Sequence, residues 1–199
     1  MAEPADDADE ALMLRFGQGD AQAFETLYAR HKGPLYRYFR RQCDETSAEE
    51  LFQEVWMRVI NARESYTVEA KFTTWFYRIA HNRLVDHYRA SGRRQEQPLA
   101  DLADEEGGSE SDALDRSEAL ADQPHARPDA RAFGQEQLES FAAALDALPD
   151  EQREAFILRE DGGMSLEEIA TTTGVGRETV KSRLRYAVAR LRKTLESWS

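Results

Sequence analysis

Between Arg177 and Arg185 the chain reads RETVKSRLR, and this run holds one group of side chains with chemistry to offer. Glu178, Lys181, Ser182 and Arg185 fall within roughly 100° of one another on a helical wheel. A polar, basic face of that kind suits the major groove of duplex DNA, where a helix can lie along the base edges. A solvated face on an ordinary helical hairpin is the alternative reading. A second group lies in Phe72 to Tyr88, FTTWFYRIAHNRLVDHY, where Trp75, Arg78, Asn82 and Asp86 gather on one side of a predicted helix. An aromatic ring gives an unstacked base a surface to stack on, an amide can read its edge, and Arg supplies a counter-charge for phosphate. Aromatics at helical spacing can equally be plain core. Arg89, Arg93 and Arg94 carry the positive run past the helix. His81 and His87 offer no metal or hydrolase site. Six residues apart, they point about 120° away from each other, and no third ligand stands at motif spacing.

The support for the first group is written in Ser165 to Leu191, SLEEIATTTGVGRETVKSRLRYAVARL. Ser165 and Glu168 have capping-box spacing, so the hydroxyl can take an orphan amide of the first turn while the carboxylate reaches back. Leu166, Ile169 and Ala170 set a short helix against a core. Gly174 stands where the chain must turn sharply, which suits a residue without a Cβ. Val180, Leu184, Ala187, Val188, Leu191 and Leu195 then recur as one apolar stripe at helical spacing. Two helices on so short a turn predict a helix-turn-helix. Helices over about Gly134–Ala147 and Pro149–Glu160, the second with Pro at its first position, complete a four-helix domain.

The second group needs other supports. Residues 9–42 read as helical, with a break at Gly17-Gln18-Gly19, Asp20 as the next cap and a kink at Gly33-Pro34. Phe24, Leu27, Tyr28, Leu35 and Tyr38 are the apolar positions. Ser47 and Glu50 again have capping-box spacing and predict a helix from there to about Asn61. Leu51, Phe52, Val55 and Val59 form its core face. Its other side carries Gln53, Trp56, Met57 and Ile60, bracketed by Glu50 and Glu54. A surface helix is normally polar there, so an apolar patch ringed by acids predicts a docked partner helix with Trp56 in the interface. Burial against residues 72–88 is the competing reading.

The chain has 199 residues, 41 % of them hydrophobic, and a formal net charge of −12. That charge argues against a DNA binder only until it is divided. Residues 1–10 carry five acids and no base, 11–97 a net +3, 98–134 a net −7 and 135–199 a net −3. Arg177 to Lys193 alone holds seven bases against one acid. Charge so segregated says little about partners through its total. It does predict that the isolated protein binds DNA poorly, because acidic segments compete with phosphate for the basic faces. No apolar run approaches a membrane span, and the opening MAEPADDADE is acidic rather than signal-like, so a cytoplasmic location without membrane insertion is expected. The one cysteine, Cys43, leaves no internal disulfide or cysteine zinc cage and reads as an ordinary thiol.

Four segments in order, FETLYARHKGPLYRYFRRQ, AEELFQEVWMRVINA, FTTWFYRIAHNRLVDHYR and LPDEQREAFILREDGGMSLEEIATTTGVGRETVKSRL, resemble the bacterial RNA polymerase sigma factors, in particular the extracytoplasmic-function (ECF, group IV) class of the sigma-70 family. The resemblance implies an all-α chain of two small helical domains. Residues 10–94 are then the region 2-like domain and 133–199 the region 4-like helix-turn-helix domain, with an acidic linker over 95–132 and a disordered acidic N-terminus over 1–9. It implies no catalysis, no cofactor and no metal. The partners it implies are core RNA polymerase, through the β′ clamp helices and the β flap, promoter DNA, and as a candidate a cognate anti-sigma factor. The chain is expected to be a monomer when free of polymerase. Carried over by position, Glu50, Gln53, Glu54, Trp56 and Ile60 fall where the family docks on the clamp helices. Trp75, Tyr77, Arg78, Asn82 and Asp86 fall in the segment that melts the −10 element and captures a flipped base. Arg177, Glu178, Lys181, Ser182 and Arg185 fall on the helix that reads the −35 element. Thr173 departs from the usual apolar residue before the turn glycine, and Gly176 from the usual Ser or Thr cap.

Residues 95–132 are poor in aromatics and rich in Asp, Glu, Ser, Gly, Ala and Pro, a composition that fits disorder. A flexible segment of roughly 36 residues has an r.m.s. reach of about 33 Å and a full extension of about 120 Å. Promoter elements about 20 base pairs apart lie roughly 70 Å apart on B-DNA. The linker spans them only when held stretched; the resemblance implies that it threads the RNA exit path of the polymerase, where an acidic chain would mimic nucleic acid. Three functions compete: a promoter-recognition subunit, a one-component regulator with a ligand-sensing N-terminal domain, and an enzyme acting on nucleic acid. Residues 47–88 favour the first, because a sensor needs a ligand cavity rather than an acidic–aromatic helix beside a stacking surface.

Overall fold

The computed structural model describes residues 7–92 and 135–196. The predicted linker, with Arg93 and Arg94, falls outside the described residues, as do residues 1–6. Eight helices and no strand occur among the described residues: α1 (Asp9–Gly17), α2 (Ala21–Arg40), α3 (Glu45–Ala62), α4 (Phe72–Ala90), α5 (Gln135–Asp146), α6 (Asp150–Glu160), α7 (Leu166–Thr173) and α8 (Arg177–Glu196). The all-α expectation holds. No helix among them is long and apolar enough to cross a membrane. The first four helices make one unit and the last four carry the helix-turn-helix.

The acidic N-terminus expected over 1–9 is corrected at its inner end: Asp7 to Asp9 belong to the fold. Asp9 opens α1, and its carboxylate accepts hydrogen bonds from Arg30 at 2.8 Å and from His31 Nε2 at 2.7 Å, both on α2. Asp7 pairs with Arg15 at 2.6 Å. The helix stops at Gly17, where a Cβ would lie 2.5 Å from the carbonyl oxygen of Arg63, so the backbones approach too closely for any side chain. Gly19, at φ 97°, turns the chain. Asp20 then caps α2 as its sequence position predicts, accepting from the amides of Gln22 and Ala23 at 3.0 and 3.2 Å. α2 runs on through Pro34 to Arg40 as one helix.

α3 starts three residues before the expected point. Asp44, not Ser47, is its cap: Asp44 accepts from the Ser47 amide at 3.1 Å and from the Ser47 hydroxyl at 2.7 Å. A carboxylate outcompetes a hydroxyl for the positive end of a helix, so the Ser47–Glu50 box is not used. The core of this unit is aromatic. Phe72 stacks on Phe76 at 5.4 Å, Tyr38 meets Tyr77 edge-on at 5.6 Å, and His31 lies against Phe72 and Phe76.

In the C-terminal unit, Ala144, Leu145 and Leu148 pack on Ala187 and Leu191 of α8, flanked by Phe141 and Phe156. Val180 and Leu184 are also buried, as the stripe predicts, whereas Val188 is half-buried and the Leu195 side chain lies outside the described residues. Pro149 is the cap of α6 rather than its first residue, with its carbonyl accepting from Arg153 at 2.9 Å. The Arg153 side chain, 4 % exposed, donates to the Asp146 carbonyl that ends α5 and pairs with Asp150. One buried cation thus ties the end of one helix to the start of the next.

Burial opposes the charged form of Asp9, but hydrogen bonds from His31 and Arg30 and their charges outweigh it, so the carboxyl titrates below its ordinary value. A folded-state pKa below the unfolded one gives stability that is present above the unfolded value and lost as pH falls through the folded one. Thermal unfolding followed from about pH 6 to about pH 3 should therefore show stability declining below about pH 4. Asp9→Asn should flatten that decline; a slope unchanged by the substitution would assign it to other carboxylates.

Candidate nucleic-acid interface

α3 is the helix whose two apolar sides the sequence left ambiguous, and the structure separates them. Leu51, Val55 and Val59 are buried as expected. Trp56 is buried too, at 4 % exposure, which corrects its expected place on an accessible docking patch. Its ring packs on Phe24 at 5.8 Å and Tyr28 at 4.9 Å from α2, and on Phe76 at 5.2 Å from α4. Packed between α2 and α4, α3 buries more than one stripe. Glu50, Gln53 and Glu54 remain exposed, Ile60 is half-buried, and Met57 stands 55 % exposed among them. Glu50, Gln53, Glu54 and Met57, together with Arg58 and Arg83, line an open depression of about 570 Å³. An exposed Met in an acidic rim adapts to varied apolar partners through its flexible, polarizable thioether.

α4 begins after Lys71. The Lys71 carbonyl accepts from Thr74 and Trp75 at 3.0 and 3.3 Å, so Lys71 holds the cap position with a side chain that has no acceptor oxygen. Glu10 of α1 takes that role, its carboxylate accepting from the Phe72 amide. Along the helix, Arg78, Asn82 and Asp86 are exposed on one side, as the wheel predicts, with Trp75 half-buried beside them. Tyr77 is corrected: at 3 % exposure it is core, edge-on to Tyr38 and Phe76, because it faces α2 rather than solvent. Two contributors escaped the sequence reading. Tyr66, the buried residue in an otherwise exposed loop before α4, meets the Trp75 ring at 5.0 Å and props its inner edge. Burial, then the nearby charges of Glu10 and Asp9, push the Tyr66 hydroxyl up to about 12, so it stays a neutral phenol. Arg83 pairs with Asp86 and, at 3.8 Å, with Glu54 of α3, linking α4 to α3. A lone tyrosine in a polar loop and an Arg placed i−3 to an Asp were the available signals.

The helix-turn-helix forms as its sequence dictates. The Ser165 amide donates to Glu168 at 2.8 Å, and the Glu168 amide to the Ser165 hydroxyl at 3.2 Å, which closes the capping box. Gly174 turns at φ 71°, a conformation that would strain a residue carrying a Cβ. α8 starts from the Gly176 carbonyl, which accepts from Val180 at 3.1 Å. Glu178 is exposed, and Lys181, Ser182 and Arg185 are half-buried. Arg177 is already engaged: its Nε donates to Glu167 of α7 at 2.6 Å, and it pairs with Glu178 at 3.3 Å. The Glu167 carboxyl is held below its usual range by its own backbone amide first and by Arg177 second. Arg185 lies over the Tyr186 ring at 4.9 Å and donates to its hydroxyl at 3.1 Å, which fixes the fork in one orientation.

Comparison with known proteins agrees with this geometry. Residues 27–94 match the family model for sigma-70 region 2, and residues 144–193 that for sigma-70 region 4. The chain is 30 % identical over 193 residues to an RNA polymerase sigma-H factor of Pseudomonas aeruginosa, covering 94 % of each chain. It is 28 % identical over 176 residues to the ECF RNA polymerase sigma-E factor of Escherichia coli K12, covering 88 % of each. Among solved structures it is similar to CnrH in complex with the cytosolic domain of CnrY, with a TM-score of 0.64, 25 % identity and coverage of 97 % of this chain and 100 % of that one. It is also similar to the sigma factor RpoE in complex with the anti-sigma factor NepR from Bartonella quintana, with a TM-score of 0.62, 25 % identity and coverage of 87 % and 96 %. With both helical modules matched in order and identity extending across nearly the whole chain, this protein belongs to the ECF class of the sigma-70 family of RNA polymerase sigma factors.

Proposed function

We propose that this chain acts without catalysis of its own, as the subunit that brings core RNA polymerase to its promoters and helps open them. Its family directs transcription initiation; the residue roles are our reading. The exposed strip of α3, with Glu50, Gln53, Glu54 and Met57 and the flanking Ile60, docks on the β′ clamp helices. Arg78, Asn82 and Asp86 of α4, with the half-open face of Trp75, receive melted −10 DNA. Arg177, Glu178, Lys181, Ser182 and Arg185 of α8 read the −35 duplex. Trp56 and Tyr77 serve by packing alone. The observation that carries the docking assignment is Met57, exposed in a charged rim on a helix whose other apolar residues are buried or half-buried. A ligand-sensing regulator would need an enclosed hollow, and the depression on α3 is open and lined with charge.

Because one structural neighbour was solved with the anti-sigma factor NepR and another with the cytosolic domain of CnrY, we extend the proposal to a cognate anti-sigma partner. It would cover these same faces in the cytoplasm until released. A pull-down from cells tests that extension.

Run-off transcription with purified core polymerase tests the main reading. Adding the chain should give promoter-dependent starts on genomic fragments, including its own upstream region, and their absence would defeat it. Gln53→Ala with Met57→Ala should weaken co-elution with core roughly tenfold or more, the effect of losing about 1–2 kcal/mol at an interface centre. Helicity should be unchanged, and undiminished co-elution would move the docking face elsewhere. Lys181→Ala should cost about 1–3 kcal/mol of DNA affinity and relax specificity at one base pair. A loss uniform across sequences would instead mark a phosphate contact.

A further inference from the structure

Asp9 and Glu10 are consecutive, yet they serve two different helices. Asp9 holds His31 of α2, while Glu10 reaches across 62 residues of sequence to the first amide of α4. The N-terminal end of a helix carries partial positive charge and orphan amides, and a carboxylate placed there answers both. Most helices obtain this from their own cap residue. α4 obtains it from α1. The amide in question belongs to Phe72, whose ring touches both His31 at 5.2 Å and Trp75 at 5.7 Å. The Glu10 carboxylate therefore holds the one turn of α4 that presents Trp75.

We infer that Glu10 is a positioning residue for promoter opening, holding the first turn of α4 so that Trp75 is set to stack on an unpaired base. The inference rests on the proposed role of α4. With the cap removed, the first turn frays, Trp75 samples several orientations, and capture of the opened strand slows. Core docking on α3 and duplex reading on α8 use other residues and keep their strength.

Holoenzyme carrying Glu10→Ala, on a promoter recovered from the run-off assay, should show permanganate reactivity of −10 thymines reduced about 3–30-fold, the range expected for a lost cap. Co-elution with core and the −35 footprint should be unchanged, and a template already mismatched over the −10 region should restore initiation. Glu10→Gln keeps an acceptor oxygen and should recover most of the opening. In the free protein, hydrogen exchange at Phe72 to Trp75 should accelerate in Glu10→Ala while the middle of α2 and of α3 keeps its protection. Opening equal to that of the unmodified chain, opening lost only in step with core binding, or a defect that persists on the mismatched template would each overturn the inference. Trp75→Ala separates the two levels: normal opening there overturns the role of α4 and this inference together. A Trp75→Ala defect with no Glu10→Ala defect overturns the inference alone.

Discussion

The N-terminal unit depends on a pair of adjacent carboxylates at the start of α1. Neighbouring residues on a helix point about 100° apart, and that divergence lets Asp9 and Glu10 address α2 and α4 from one turn. Charge-assisted hydrogen bonds of this sort contribute about 1.5–3 kcal/mol each, comparable to burying a whole aliphatic side chain. Leu12 and Met13, buried in the next turn, add the apolar half of the attachment. A nine-residue helix is too short to persist on propensity alone. These contacts hold it, and it in turn sets the angle at which the aromatic helix meets the rest.

α3 is the second constraint. A helix packed on one side can leave its far face wholly polar, but α3 is packed by α2 and α4 together. Trp56 fills the wedge between them, touching Phe24, Tyr28 and Phe76. What remains outside is polar apart from Met57 and includes Glu50, Gln53, Arg58 and Glu54, the last paired with Arg83. Trp56 is buried and Met57 exposed, which in the proposed docking divides the work between fold and interface: the rigid indole specifies packing, and the flexible thioether meets the partner.

Local chemistry made most of the fold legible in the sequence. The Ser165–Glu168 box, the Asp20 cap and the turn at Gly174 all form as their residue types require, because each depends on atoms within a few residues. What failed was set by tertiary contact. No periodicity in α3 distinguishes a tryptophan that meets a partner from one covered by aromatics of α2 and α4 that lie 20 or more residues away. Tyr77 misled in the same way, since resemblance placed it in a DNA-binding segment without saying which side of the helix it faces. Glu10 was hidden for the opposite reason. It reads as one more acid in an acidic terminus, and only the folded chain brings it to Phe72. The start of α3 shows a third kind of failure: Asp44, three residues before the expected Ser47, takes the cap.

Arg177 illustrates how an intramolecular ion pair restrains recognition. Its guanidinium is engaged by Glu167 in the free chain. In the proposed reading of the −35 duplex, a phosphate reaching Arg177 would displace a carboxylate, and the freed Glu167, left beside the polyanion, would lower the net gain from that contact. Tethered avidity, in which a second grip raises the effective concentration of the first, would then add what the single contact gives up.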